Sequence, residues 1–86
     1  MPVISQFYGI LIKMYFDDHL PPHFHAQYAE HEALFTIKDI SLVSGDLPKG
    51  AKRMVVQWTF EHRDELLEDW ELCQNLQPPR KIDPLD

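Results

Sequence analysis

Apolar and polar side chains alternate along several stretches of the chain, as they do in a β-strand with one buried face. Every second residue is apolar in Ile10–Phe16 and in His23–Tyr28, and these residues are Ile10, Ile12, Met14, Phe16, Phe24, Ala26 and Tyr28. Glu32–Lys38 repeats the pattern, and Ile40–Ser44 is a short fourth segment. Ser5–Tyr8, ahead of Gly9, is interpreted as a short edge or turn that leads into the first strand. The short separations between the segments predict a four-stranded antiparallel meander.

A helical period replaces the alternation after Gly45. Asp46 can accept hydrogen bonds from free amides at a helix start, and Pro48 fits the first turn. The helical pattern continues to about Leu76, where two prolines follow and end it. On a helical wheel, one half carries Ala51, Met54, Val55, Trp58, Leu66, Trp70, Cys73 and Leu76. This stripe predicts one long C-terminal helix that lies across one face of the sheet.

These elements together predict an α+β fold, with a four-stranded antiparallel meander sheet packed against one long C-terminal helix. The chain has 86 residues, of which 44% are hydrophobic and 12% are aromatic, so we expect residues 1–86 to form a single domain with one core. Trp58, Trp70 and Cys73 are expected in that core. In the tail, Ile82 and Leu85 are the residues that could dock on it.

The charge, the cysteine content and the hydrophobic segments disfavour several classes of protein. The net charge of −6 disfavours general binding to nucleic acid, which depends on clustered Lys and Arg. Cys73 is the single cysteine, which excludes an internal disulfide. Ile10–Phe16 contains Lys13 and is far shorter than the roughly 20 residues of a membrane span. The first residues carry no basic segment typical of a secretory signal, so we expect a cytoplasmic protein without a membrane partner.

The segment from Asp17 to His25 holds three of the five histidines. In an extended strand, His23 and His25 project from the same face, so their imidazoles can converge. Two such imidazoles suit a first-row divalent metal, with a third imidazole or a carboxylate completing the site. His19, His23 and His25 are therefore the candidate metal ligands. A divalent metal such as zinc is the one cofactor that the sequence suggests.

Two other interpretations of these histidines stay open. They can be half-exposed strand residues that bond the loop carboxylates Asp17 and Asp18, with Asp18 and His19 contributing to a partner-binding surface. Alternatively, His23 and His25 can act as general base and general acid, which is the chemistry of metal-independent RNA cleavage. The residues thus allow both an enzymatic and a non-enzymatic role.

His62 is a polar residue in the middle of the helix's apolar stripe. A buried polar group needs a partner, so His62 is expected to bond the sheet backbone or a carboxylate such as Glu65 or Asp69. The sharper alternative is that His62 reaches the histidines of the sheet and completes a catalytic site.

Lys49, Lys52 and Arg53 follow the predicted helix start at Asp46. Free amides and cations at a helix N-terminus favour an anion such as phosphate. These three residues are therefore candidate binding residues, although lysines in such positions are also ordinary solvated charges.

The residues described above resemble those of the small bacterial family called domain of unknown function 4160. The resemblance covers essentially the whole chain, and its most specific part is the proline–histidine segment. The matching motifs are Pro2-x-Ile4-Ser5-x-Phe7-Tyr8-Gly9-Ile10, Met14-Tyr15-Phe16-x-Asp18-His19-x-Pro21-Pro22-His23-Phe24-His25-Ala26, Gly45-x-Leu47-Pro48, His62-Arg63-x-Glu65-Leu66-Leu67-x-x-Trp70 and Ile82-x-Pro84-Leu85.

The resemblance implies a binding or regulatory role and no established activity. Members of that family often lie beside a second small uncharacterised family, which suggests a toxin–antitoxin operon. We therefore expect a non-enzymatic component that binds a partner protein, such as the product of a neighbouring gene, with a homodimer as a further option. An endoribonuclease toxin acting on RNA and a small metal-binding module are the two alternatives. Asp46–Gly50 is also loosely similar to the helix entry of histidine-dependent messenger-RNA interferases.

Overall fold

The computed structural model describes residues 2–86 as five strands followed by two helices. The elements are β1 (Val3–Phe7), β2 (Ile10–Lys13), β3 (His23–Tyr28), β4 (His31–Thr36), β5 (Leu42–Gly45), α1 (Lys49–Glu61) and α2 (Arg63–Gln74). Each strand pairs antiparallel with the next, so the sheet order β1-β2-β3-β4-β5 is a meander. The α+β class and the antiparallel sheet are confirmed. The predicted strand number and the single long helix are wrong, because residues 2–86 form a sheet of five strands and two helices.

The additional strand is β1, in the segment that we interpreted as a short edge or turn. Phe7 pairs with Ile10, so Tyr8 and Gly9 alone form the loop, with φ angles of 48° and 81°. A two-residue loop with positive φ at both positions matches the twist of an antiparallel hairpin. Residues with side chains rarely adopt positive φ. Tyr8 therefore gave no sequence signal for so tight a turn.

The predicted helix is interrupted at His62, where φ is −122° and ψ is 25°. His62 Nδ1 lies 2.5 Å from Glu65 Oε1, so the ring finds a polar partner while the apolar stripe resumes with Leu66 and Trp70. The break thus falls at the polar position of the stripe. Within residues 2–86, neither helix is long and apolar enough to cross a membrane.

The core lies between one face of the sheet and the helices. Phe24 and Ala26 of β3 are fully buried, and the ring of Trp58 packs edge-on against that of Phe24 with centroids 6.0 Å apart. Trp70 and Cys73 are buried as predicted. Burial raises the pKa of the Cys73 thiol, which therefore acts as a small apolar side chain.

The C-terminal tail covers the outer edge of β1. The Ile82 N–H donates to Ile4 O at 2.8 Å, and the Ile82 side chain is 4% exposed. The Trp58 Nε1–H donates to Asp83 O at 2.8 Å, and Leu85 packs against the core. Both predicted tail residues therefore dock. Among residues 2–86, β5 is the outer strand and has no neighbouring strand on one side.

Candidate metal centre

The loop between β2 and β3 is fixed to the end of α2. β2 ends at Lys13, earlier than the predicted Phe16, and the chain turns at Asp17 with a φ of 50°. The Asp17 N–H donates to Cys73 O at 3.1 Å, and the Gln74 side-chain amide donates to Asp18 O at 2.9 Å. These two bonds hold the backbone of Asp17 and Asp18 against the helix. The carboxylate of Asp18 then faces the start of β3.

β3 begins at His23 and places two imidazoles on the same side of the strand. The ring centroids of His23 and His25 are 5.6 Å apart, so the predicted juxtaposition is present. His23 is 2% exposed, because its ring packs against that of Trp70, with the ring centroids 5.1 Å apart. The rings of His25 and Tyr15 are nearly perpendicular, with their centroids 4.5 Å apart. Aromatic packing therefore fixes the orientation of both imidazoles.

Both ring nitrogens of His23 have oxygen partners. Nδ1 lies 2.7 Å from Pro21 O, and Nε2 lies 2.9 Å from Asp18 Oδ2. A carbonyl oxygen can only accept, so the Nδ1 of His23 carries a proton and donates it. Nε2 is therefore the ring nitrogen that faces the Asp18 carboxylate.

His25 faces the same carboxylate oxygen but does not bond it. Its Nε2 lies 3.8 Å from Asp18 Oδ2, is buried, and has no hydrogen-bond partner among residues 2–86. Its Nδ1 lies 3.4 Å from Glu32 Oε2. Burial and then the charge of His23 lower the pKa of His25, against the opposing carboxylates of Glu32 and Asp18. The lowered pKa therefore favours the neutral, ligand-competent form of the His25 ring.

The two carboxylate oxygens of Asp18 face three histidines. Oδ1 accepts from the His19 backbone N–H and from His19 Nδ1, each at 2.8 Å, while Oδ2 faces His23 and His25. Burial pulls the pKa of Asp18 upward, but the bonds from His19 and His23 and the charge of His23 outweigh it and lower the pKa. Asp18 is therefore an ionised carboxylate.

Asp18, His23 and His25 form the group that we call the Asp18 cluster. Each residue offers one ligand atom, and these atoms lie within 4.8 Å of one another. Two imidazole nitrogens and one carboxylate oxygen are a donor set that suits zinc and other first-row transition metals. The chemistry of the donors therefore fits a divalent ion.

The other predicted histidines lie outside this group. The His19 side chain is 79% exposed, and its Nδ1 is engaged with Asp18 Oδ1. His62 pairs with Glu65 at the helix break and does not belong to the Asp18 cluster. The structure thus brings His23 and His25 together with Asp18, so the third member of the group is a carboxylate, one of the two options that the sequence left open, and not His19.

The predicted anion-binding residues lie at the start of α1. Lys52 Nζ lies 2.9 Å from Asp46 Oδ1, so this cation already has a carboxylate partner. Lys49 and Arg53 are exposed. An incoming anion at this helix start would have to compete with Asp46 for Lys52.

Glu32 is the residue near the cluster that the sequence reasoning missed. His25 pairs with Leu34 across the β3–β4 hairpin, and Glu32 lies two residues further along the same face of β4. Diagonal neighbours of this kind are within reach of long side chains. The correct turn, with Tyr28 paired to His31, would have revealed this neighbour. We had instead begun this strand at Glu32, whereas it begins at His31.

A comparison with protein families matches residues 9–71 to the family described as Domain of unknown function (DUF4160). The chain belongs to this family. The matched region contains every residue of the Asp18 cluster and Glu32, whereas β1 and the C-terminal tail lie outside it. Searches of curated proteins and of solved structures each gave no match.

Proposed function

We propose that the chain binds a divalent first-row transition-metal ion, with zinc as the first candidate, through Asp18, His23 and His25. The observation that carries the proposal is the buried Nε2 of His25, which has no hydrogen-bond partner among the described residues. Leaving such a group unsatisfied costs about 1–3 kcal/mol. A metal ion between His25 Nε2 and Asp18 Oδ2 would satisfy this nitrogen.

The groups behind the ligands support the same proposal. Metal-binding histidines nearly always donate their second ring N–H to a carbonyl or carboxylate, which fixes the tautomer and the ring orientation. His23 has Pro21 O at 2.7 Å from Nδ1, and His25 has Glu32 Oε2 at 3.4 Å from Nδ1. Both rings therefore direct Nε2 to the common centre.

The separations of the ligand atoms also fit a small ion. Ligands about 2.0–2.1 Å from a tetrahedral zinc are separated from one another by roughly 3.3 Å. The distances from Asp18 Oδ2 to His23 Nε2 and His25 Nε2 are 2.9 and 3.8 Å and bracket that value. Shifts of about half an ångström would bring these two separations to that value.

A metal titration tests the proposal on the full chain without an affinity tag. Wild type is expected to take up one equivalent of zinc in competition with a chromophoric chelator. His25→Ala should bind more than about a hundredfold more weakly, because loss of a group that merely orients a ligand already costs 10–100-fold. His62→Ala is the matched control and should retain wild-type zinc affinity. His62 also pairs with a carboxylate but does not belong to the Asp18 cluster. Equal zinc affinity in wild type and His25→Ala would overturn the proposal.

A second proposal is that the chain acts in the cytoplasm as a binding or regulatory component of a toxin–antitoxin-like operon. The specific support is the outer edge of β5, which pairs with no further strand of residues 2–86 and where Val43 is 59% exposed, whereas the tail occupies the edge of β1. A partner strand could add to such an edge. Stable co-purification with the product of the neighbouring gene, lost when Val43 is replaced by Pro, is the expected result. A complex that survives Val43→Pro would place the partner elsewhere.

The endoribonuclease alternative has weaker support from the geometry. His23 is 2% exposed, with both ring nitrogens engaged, so RNA would have little access to it as a general base. His25 has a lowered pKa, which disfavours the charged form that a general acid needs. The Asp18 cluster therefore resembles a ligand set more than an acid–base pair.

A further inference from the structure

The Asp18 cluster supplies three protein ligands, one fewer than a closed tetrahedral zinc site. In structural sites the fourth ligand comes from protein, whereas in catalytic sites it is water. No fourth ligand side chain of residues 2–86 joins the group. The identity of the fourth ligand therefore decides what kind of site this is.

His19 has an imidazole that can bind a metal, but its free nitrogen points away from the Asp18 cluster of its own chain. Its Nδ1 lies 2.8 Å from Asp18 Oδ1, and because an ionised carboxylate only accepts, Nδ1 carries the proton. The lone pair is then on Nε2, at the far side of the ring from Asp18. The side chain is 79% exposed, so this lone pair is presented to the surroundings.

Exposed apolar side chains lie in the same loop as His19 and next to the backbone of that loop. Leu20 is 72% exposed and Phe16 is 42% exposed in the same loop. Leu76, 69% exposed, lies nearby, because Cys73 O accepts from the N–H of both Asp17 and Leu76. A ligand histidine amid exposed apolar residues is typical of a surface that another chain covers.

We infer that a second copy of this chain covers the surface, and that His19 Nε2 of each copy supplies the fourth ligand to the Asp18 cluster of the other. This inference rests on the proposed metal binding. A two-fold axis makes the exchange reciprocal, since an isologous interface places the same patch on both copies. The two metal ions also offset the repulsion between the paired Asp17–Asp18 loops, in a chain with a net charge of −6. Dimerisation is therefore expected to require metal.

Light scattering after size exclusion tests this dependence on metal. Wild type should elute as a monomer in chelator and as a dimer with one equivalent of zinc per chain. His19→Ala should remain monomeric and bind zinc at least about tenfold more weakly. His31→Ala removes another exposed histidine, away from the cluster, and should dimerise like wild type. Zinc binding by a wild-type chain that stays monomeric would overturn the inference and leave the proposed function intact.

Mixing two defective variants separates ligation between copies from a local effect of His19 on Asp18. His19→Ala keeps an intact Asp18 cluster, and His25→Ala keeps His19. Neither variant alone can complete a site, but one complete site forms when the two combine. The mixture should yield a zinc-dependent dimer with one zinc per two chains. A mixture that stays monomeric would show that His19 acts only within its own chain. Absence of zinc binding by wild type would reject both the inference and the proposed function.

Discussion

Asp18 and Asp69 each accept a hydrogen bond from a backbone N–H, yet their pKa values shift in opposite directions. Each uses Oδ1 to accept a backbone N–H, from His19 at 2.8 Å and from Arg80 at 2.9 Å. The second carboxylate oxygens differ in their hydrogen-bond partners. Oδ2 of Asp18 lies 2.9 Å from His23 Nε2, whereas Oδ2 of Asp69 is buried without a hydrogen-bond partner among residues 2–86.

This difference sets the direction of the two pKa shifts. Burial raises the pKa of Asp69, the charges of Glu68 and Glu65 add to the rise, and the Arg80 N–H only partly opposes it. At Asp18, burial acts in the same direction but the histidines overcome it. The second oxygen therefore distinguishes a carboxylate that can serve a cation from one that only anchors the tail.

Replacing each aspartate by asparagine should separate the two regions most strongly. Asp18→Asn removes the negative ligand, and we expect zinc affinity to fall by more than about a thousandfold, beyond the 10–100-fold typical of an orienting group. Asp69→Asn should bind zinc like wild type in the same chelator competition. A similar loss in both variants would mean that the zinc affinity reports fold stability and not ligation.

Breaking the tail region should have the next largest effect, on stability alone. Ile82 is 4% exposed, so Ile82→Ala is expected to lower the free energy of unfolding by about 2–4 kcal/mol in urea denaturation, as buried isoleucine truncations do. Zinc affinity of the folded variant should be unchanged, because the tail does not contribute to the Asp18 cluster. Leu76→Ala, at a 69% exposed position, is the matched control and should change stability little. A marked drop in zinc affinity in Ile82→Ala would show that the two regions are coupled.

Local patterns predicted the elements whose signals lie within a few residues. Alternation gave the faces of β3, with Phe24 and Ala26 buried, and the wheel placed Trp58 and Cys73 in the core. The break at His62 could not be read in this way, since the apolar period continues on both sides of it. Periodicity reports which residues are buried and not whether the backbone between them is continuous.

The geometry of the candidate site also depends partly on local sequence and partly on contacts that are distant in the chain. The convergence of His23 and His25 follows from the pitch of a strand. The choice of Asp18 over His19 as the third member depends on how the loop is held, and that is set by Cys73 and Gln74, which lie more than fifty residues away in the chain. Such contacts leave no mark in the loop's own sequence. We therefore named the neighbouring residue as the ligand.

The smallest effect should be the pH dependence that Asp69 gives to folding. Because its pKa is raised in the folded chain, the folded state retains a proton that the unfolded state has released. This contribution to the free energy of unfolding is complete below the ordinary aspartate pKa of 3.8 and is lost as the pH rises through the folded value. Asparagine does not titrate, so Asp69→Asn should gain stability relative to wild type as the pH increases from about 4 to about 7.

Urea denaturation in chelator at several pH values measures this difference without a contribution from metal. Glu71→Gln removes a carboxylate from an exposed position on the same helix and gives the background effect of one lost surface charge. Asp69→Asn retains an oxygen for the Arg80 N–H, so the tail should stay docked. If the stability difference between Asp69→Asn and wild type instead stays constant with pH, Oδ2 of Asp69 must find a donor in solution. The two carboxylates would then differ in the identity of their partners and not in whether the second oxygen has one.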